Sequence, residues 1–309
     1  MQQTAHPQLD TWFADNLARG CTPQQLRQSL LDAGYMPDFV AAYLAERERQ
    51  QAQQPAALTG ANTTDGAAAI AANTPLAAHT GIDPAPALAA WWARCDALGR
   101  SNRVDLGDRS AELVGRHPGQ GIFYLTGVLS DDECDTLVRD SAARIEGSTV
   151  VDPQTGRFVP DARRTSSGTY FARGATPVVQ ALEQRLAVLS GLPEPNGEGL
   201  QILYYQVGGE YRPHFDYFDP ATPGCAAQLE RGGQRLLTII LYLNAVDSGG
   251  GTIFPELGLE FLPQKGAALM FASLDRQGQL QKRSLHGGSP VTAGCKWIAT
   301  RWIRVGAYV

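Results

Sequence analysis

The chain has 309 residues, 43% of them hydrophobic, enough for one substantial core and a smaller unit beside it. A net charge of −5 and a pI near 5.6 give no broad basic field for neutralising phosphates, so nucleic acid is not an expected partner. No run approaches the ~18 apolar residues that a spanning helix needs, and no positively charged segment precedes an apolar core at the N-terminus. No membrane partner is therefore expected, and the chain reads as a soluble, cytoplasmic protein.

Residues 8–49 carry helical periodicity. Leu9, Trp12, Phe13 and Leu17 form one apolar stripe, and Leu26, Leu30 and Leu31 another. Thr22, Pro23 and Gln25 form a capping-box start, Gly34 ends that helix, and Pro37-Asp38 opens a third with Val40, Tyr43 and Leu44. From about residue 50 to 84 the composition falls to Ala, Gln, Thr, Gly and Pro, which cannot bury enough surface to offset the entropy of ordering. The expected organisation is a small helical unit over 1–50 with no legible role, a flexible linker over 51–84, and one domain over 85–309.

That domain opens on a helix carrying Leu88, Trp91, Trp92, Cys95 and Leu98. Residues 122–128 read as a strand, and Ser130 with Glu133 is a second capping box, opening a helix with Leu137, Val138 and Ile145. Residues 149–171 alternate β-like pieces with Pro, Gly and Arg-Arg, which suits a hairpin or a mobile lid. Thr176-Pro177 starts a further helix bearing Val179, Leu182, Leu186 and Leu189, and the two helices are expected on one face of a sheet. Short strands then follow at 200–207, 214–217, 235–244, 252–254, 259–262, 267–272, 280–286 and 295–304, separated by Gly- and Pro-rich turns, as in a sandwich or barrel. The turn at residues 247–251 is expected to join two antiparallel strands.

Within this run stands His214-Phe215-Asp216. Residues two apart on a strand share a face, so the imidazole of His214 and the carboxylate of Asp216 project together and could hold one metal ion. Two histidines and one carboxylate on one side of an octahedral ion are the face used by non-haem Fe(II) oxygenases. Of the remaining histidines, His6 and His79 lie in unstructured-looking sequence and His117 in a polar Arg-His-Pro-Gly turn. His286 closes the 280–285 run and is followed ten residues later by Lys296 on an apolar strand. An unpaired buried lysine is costly, so Lys296 calls for an anion.

These features sit in an ordered series: Phe-Tyr-Leu-Thr-Gly-Val-Leu-Ser-Asp-Asp-Glu-Cys (123–134), Arg-Thr-Ser-Ser-Gly-Thr-Tyr-Phe (164–171), Tyr-Arg-Pro-His-Phe-Asp-Tyr-Phe (211–218), Gly-Gly-Gln-Arg-Leu-Leu-Thr (232–238), Leu-Tyr-Leu-Asn (241–244), Gly-Gly-Gly-Thr-Ile-Phe-Pro (249–255), then His286 and Lys296. In this order and spacing, over residues 121–304, the chain resembles the Fe(II)- and 2-oxoglutarate-dependent dioxygenases of the prolyl 4-hydroxylase alpha-subunit type. The resemblance implies a mainly β double-stranded β-helix, or jelly roll, with packed helices. It implies Fe(II) held by His214, Asp216 and His286, with 2-oxoglutarate and O2 as co-substrates and ascorbate as reductant. It places the distal carboxylate of 2-oxoglutarate on Lys296, aided by the hydroxyls of Tyr205, Thr252 and Tyr242, and a proline-containing peptide or protein against Tyr211, Arg235 and Trp302.

Two other functions stay open at this point. A same-fold oxygenase could act on a free amino acid, a lysyl residue or a small metabolite, and a jelly roll could bind without catalysis. The intact His214, Asp216, His286 and Lys296 set speaks against the second. A halogenase is disfavoured because Asp216 occupies the position that chloride would need. The five cysteines are odd in number, dispersed and without a Cys-x-x-Cys pair, so reduced thiols are expected.

Overall fold

A computed structural model describes residues 26–27, 30–31, 36–53, 81–151, 158–160 and 164–308. The chain divides into two compact units, Met1–Gly66 and Ala67–Val309. In the first, helix α1 (Pro37–Gln53) places Val40, Tyr43 and Leu44 at helical spacing, and these share a small apolar cluster with Leu26 and Leu30. Phe39 stacks on Tyr43 with ring centroids 5.9 Å apart. The helix expected around residues 9–17, the Thr22 capping box and residues 54–80 of the expected linker lie outside the described residues.

The second unit begins with α2 (Ala85–Leu98), β1 (Arg103–Asp105), β2 (Ser110–His117), β3 (Ile122–Thr126), α3 (Asp131–Ala142), β4 (Glu146–Gly147), β5 (Thr149–Val151), β6 (Phe158–Pro160), β7 (Ser167–Phe171) and α4 (Pro177–Ser190). It continues with β8 (Leu200–Tyr205), β9 (Tyr211–His214), the short α5 (Ala226–Glu230), β10 (Arg235–Tyr242), β11 (Ser248–Gly249), β12 (Thr252–Phe254), β13 (Leu259–Phe261), β14 (Ala268–Ala272), β15 (His286–Gly288), β16 (Val291–Ala293) and β17 (Lys296–Arg304). A nine-stranded antiparallel sheet runs β1-β2-β3-β14-β10-β17-β8-β7-β4, and a four-stranded one runs β13-β12-β15-β9. This is the double-stranded β-helix that the sequence leads one to expect.

Period-two alternation divides the large sheet into two faces. Leu237, Ile239 and Leu241 of β10, with Ala299 and Ile303 of β17, join Trp91, Leu137, Val179, Leu182 and Leu186 of the helices in the main core. Ile240, Tyr242 and Ile298 point the other way, into a second core shared with Phe254 of the small sheet. Both expected helices thus cover one face and leave the other to the small sheet. The Ser130–Glu133 capping box forms, and Arg185 ties Glu133 further to Asp108. Thr176 caps α4 by accepting from the Val179 amide.

Several expectations are corrected. Helix α3 ends at Ala142, so Ile145 lies beyond it. Strands β1 and β2 were not expected, because β2 buries only Ala111 and Leu113 and leaves Val114 exposed among polar neighbours, and His117 ends β2 rather than sitting in a free turn. Residues 280–285 do not form a strand. Lys282–Ser284 is a 3-10 turn, so His286 begins a strand instead of closing one. Residues 247–251 cross from the large sheet to the small one rather than closing a hairpin. Strands β5 and β6 do form a hairpin, as expected within 149–171. The four described cysteines are free thiols, and Cys21 lies outside the described residues.

Candidate active site

Strands β9 and β15 pair antiparallel with His214 directly opposite His286. Asp216 is not on the strand, as expected from the sequence, but in the bend just after it. The bend still returns the carboxylate to the histidines: ligand atoms of His214, Asp216 and His286 all lie within 4.8 Å of one another. His214 Nε2 is 3.7 Å from Asp216 Oδ1, and His286 Nε2 is 3.5 Å from Asp216 Oδ2. Among the described residues no other group has this character.

Each imidazole is aimed by a carbonyl two residues earlier. Nδ1 of His214 lies 2.9 Å from the Arg212 carbonyl oxygen, and Nδ1 of His286 lies 2.9 Å from that of Ser284. A carbonyl can only accept, so both Nδ1 atoms carry the hydrogen and both Nε2 atoms present a lone pair to Asp216. Thr238 Oγ1 donates to Asp216 Oδ2 at 2.7 Å. Burial works to raise the Asp216 carboxyl, but His286, His214, Arg235 and the Thr238 hydroxyl together outweigh it and hold the group at about 2. Burial, reinforced by His286, pushes His214 down to about 3. The result is two lone pairs and a carboxylate facing one point, a donor set suited to a divalent cation.

Lys296, 3% exposed, lies on the face of β17 shared by Ile298, Thr300 and Trp302, as alternation predicts. Its ammonium lies 5.5 Å from the centre of the Tyr205 ring, opposite it in the β8–β17 ladder, and 5.9 Å from that of Tyr242. No carboxylate among the described residues pairs with it, and burial alone lowers it to about 8. The Tyr242 hydroxyl donates to Thr252 Oγ1 at 2.8 Å, which leaves the Thr252 hydroxyl hydrogen free for another acceptor. Tyr242 therefore supports Thr252 from behind. A buried cation without a counter-ion fits an acidic ligand, as the donor set fits a metal.

The three residues expected to meet substrate differ in how free they are. Tyr211 is half-buried and stacks on His214 with centroids 3.6 Å apart. Arg235 was expected to offer its donors to a substrate carbonyl. Nε and Nη2 are held by Glu198 at 2.6 and 2.9 Å and Nη1 reaches the Asp216 carbonyl at 3.4 Å, which accounts for three of the five guanidinium N–H groups. Its guanidinium lies 3.8 Å over the Trp302 ring, so the two form one stacked wall. Trp302 Nε1 is buried without a hydrogen-bond partner.

Three residues that hold this site together were not singled out from the sequence. Thr238 sits in an apolar run and differs only by its hydroxyl. Glu198 joins Arg235 to Arg304 through contacts 37 and 106 residues apart, which no local pattern reports. Arg164, in the Arg-Thr-Ser-Ser-Gly stretch, is 8% exposed. It donates to Gln201 Oε1 and Ser166 Oγ and lies 4.9 Å over the Tyr211 ring.

The family model described as the 2OG-Fe(II) oxygenase superfamily matches residues 200–304. "Probable prolyl 4-hydroxylase 8" of Arabidopsis thaliana is 38% identical over 221 residues, covering 65% of this chain and 74% of the relative. "Prolyl 4-hydroxylase 5" of the same plant is 38% identical over 218 residues, covering 64% of this chain and 72% of the relative. Among solved structures, a viral collagen prolyl hydroxylase from Paramecium Bursaria Chlorella virus-1, in complex with 2OG, is 30% identical. It covers 62% of this chain and 99% of its own, with a TM-score of 0.48.

Proposed function

The chain belongs to the prolyl 4-hydroxylase family of 2OG-Fe(II) oxygenases, and from that premise we propose that it hydroxylates a prolyl residue in a peptide or protein at ring carbon four. It is a 2-oxoglutarate-dependent dioxygenase. The observation that carries the reading is the combination of three converging ligand atoms with a buried, unpaired ammonium in one site.

His214, Asp216 and His286 would hold Fe(II) from one side, their tautomers fixed by the carbonyls of Arg212 and Ser284. When bound, the iron with 2-oxoglutarate and O2 supplies an oxidative decarboxylation that gives succinate and CO2 and delivers one oxygen atom to a C–H bond. Lys296 seats the distal carboxylate of 2-oxoglutarate, with the Thr252 and Tyr205 hydroxyls beside it and Tyr242 holding Thr252. Tyr211 and the Arg235–Trp302 wall line the side of the site that a proline ring would meet. Ascorbate serves as reductant, the protein works in the cytoplasm, and residues 1–50 with the 51–84 linker are dispensable for chemistry.

Mass spectrometry of proline-containing peptides incubated with the protein, Fe(II) and 2-oxoglutarate tests the proposal. One added oxygen on proline, with matching succinate, is the expected result. Oxygen found only on lysine, a free amino acid or a metabolite would overturn it in favour of a same-fold oxygenase with a different substrate.

A further inference from the structure

Phe171 of β7 packs into the main core, so its neighbour Tyr170 points to the opposite, inner face of the large sheet, the face that carries Lys296, Thr300 and Trp302. Tyr170 is 52% exposed, and packing of the chain therefore does not account for its ring. Opposite it in the β7–β8 ladder stands Gln201, 3% exposed, and opposite Gln201 in the β8–β17 ladder stands Thr300.

The hydrogen bonds of this row have a fixed polarity. A guanidinium can only donate, so the Gln201 oxygen is the atom that faces Arg164 Nη2, at 3.1 Å, and the amide nitrogen is turned to Tyr170. That nitrogen can only donate in turn, so the Tyr170 oxygen, 2.5 Å away, accepts. The hydroxyl hydrogen then has no acceptor among the described residues. Burial of this end raises the phenol above its ordinary value, so it keeps the proton. The charges that act on it are those of Arg164, Arg235 and Glu198. Arg164 lies over the Tyr211 ring and Arg235 over the Trp302 ring, so the unused donor stands beside the residues that border the substrate side of the site.

Neighbouring strands are ~4.8 Å apart, which puts Tyr170 two spacings, ~10 Å, from Thr300 on β17. Trp302 lies further along β17, so the span from the Arg235–Trp302 wall is no shorter. An extended chain covers that span in about three residues, and the acceptor that every residue of a peptide carries is its backbone carbonyl.

We infer that Tyr170 is a specificity-determining residue: its hydroxyl donates to a backbone carbonyl of the substrate about three or more residues from the target proline, so that the site favours a long peptide over a short one. The inference rests on the prolyl reading given under the proposed function, and it adds the length of chain that the site engages.

The experiment compares the full chain, with Fe(II) and 2-oxoglutarate, on two capped peptides: Ala-Pro-Ala, and the same centre lengthened by about four alanines at each end. Loss of one neutral hydrogen bond should raise KM of Tyr170→Phe for the long peptide about threefold to tenfold, and for the short one by less than about twofold, with the thermal unfolding midpoint close to that of the unaltered chain. Gln201→Glu tests the polarity with Tyr170 left in place. A carboxylate accepts from Arg164 and from Tyr170 alike, which turns the tyrosine hydrogen inward, and the preference for the long peptide should fall by a similar factor. An unchanged KM for the long peptide in Tyr170→Phe, or an equal rise for both peptides, overturns the inference. A lowered midpoint together with that equal rise would make Tyr170 only the partner that satisfies Gln201. Gln201→Glu with the full preference retained overturns it as well. If the unaltered protein adds oxygen to proline in neither peptide, the prolyl reading fails and takes the inference with it.

Discussion

His214 and His286 face each other across the β9–β15 ladder with ring centroids 4.4 Å apart, His214 held by the Arg212 carbonyl of its own strand and His286 by the Ser284 carbonyl of the turn before its strand. The pairing of two short strands therefore sets the separation of the two nitrogen donors, and Asp216 is the one donor delivered by a bend.

Removing any of the three leaves two donors for an ion that needs a full face. His214→Ala, His286→Ala and Asp216→Ala should each reduce iron-dependent succinate formation to background. Iron content after gel filtration, measured beside succinate, checks this. Full activity in any one variant would remove that residue from the ligand set.

Thr238 tests the support of the carboxylate. Its hydroxyl is the side-chain donor to Asp216 Oδ2, and loss of such outer hydrogen bonds costs about 10–100-fold in metal affinity. Thr238→Val, similar in shape, should weaken Fe(II) by that factor while the thermal unfolding midpoint stays close to that of the unaltered chain. Thr238→Ser should restore the affinity.

Much of this site was legible because the chemistry follows the period of a strand. Lys296, Ile298, Thr300 and Trp302 share a face by alternation, and that face is the inner one. The capping residues Ser130, Glu133 and Thr176 were legible for the same local reason. What could not be read is set by distance along the chain. The hold of Glu198 on Arg235 depends on how β8 and β10 flank β17, and it braces the guanidinium against Trp302. The 280–285 stretch misled because Leu280 and Leu285 flank a polar Gln-Lys-Arg-Ser turn. There Gln281 donates to the Gln120 and Ala272 carbonyls, which fixes the turn ahead of His286.

The boundary of the catalytic unit is also testable. Ile82 packs against the main core, and Cβ positions at Gly233 and Gly306 would touch its side chain, so the unit begins ahead of α2. A chain starting at Gly81 should fold, bind Fe(II) and form succinate at the rate of the full chain. One starting at Ala85 lacks Ile82 and should melt at a lower temperature. Loss of folding in the Gly81 chain would assign residues 1–80 to the catalytic unit.

Glu183 and Arg301 form an ion pair with both side chains 1% exposed, and Glu183 also accepts from the Gly174 amide. Breaking such a pair strands a buried charge, which costs about 3–5 kcal/mol. Glu183→Ala should lower the unfolding free energy by that amount in denaturant titration. Adding Arg301→Leu should recover a large part of it, because the stranded charge is then gone. A single variant as stable as the unaltered protein would mean that solvent reaches Arg301.

Lys296 gives the pH dependence, and its sign is fixed by burial. The ammonium is lowered from 10.5 to about 8 in the folded chain, so folding without ligand favours the neutral amine. The burial cost, roughly 3 kcal/mol, is present in full below pH 8, shrinks as pH rises from there towards 10.5, and is absent above. Ligand binding runs the opposite way. 2-Oxoglutarate needs the charged form, so its affinity should be flat below pH 8 and fall by about tenfold per pH unit above it, as a proton must then be taken up on binding. Lys296→Met should bind 2-oxoglutarate weakly at every pH, with that slope abolished and iron affinity retained. The same variant should make the ligand-free chain more stable at pH 7, because an apolar side chain replaces an unpaired buried charge. Calorimetric titrations across this range, beside denaturant unfolding at pH 7, measure both effects. A Lys296→Met chain that keeps the affinity of the unaltered protein would show that the ammonium does not seat the carboxylate.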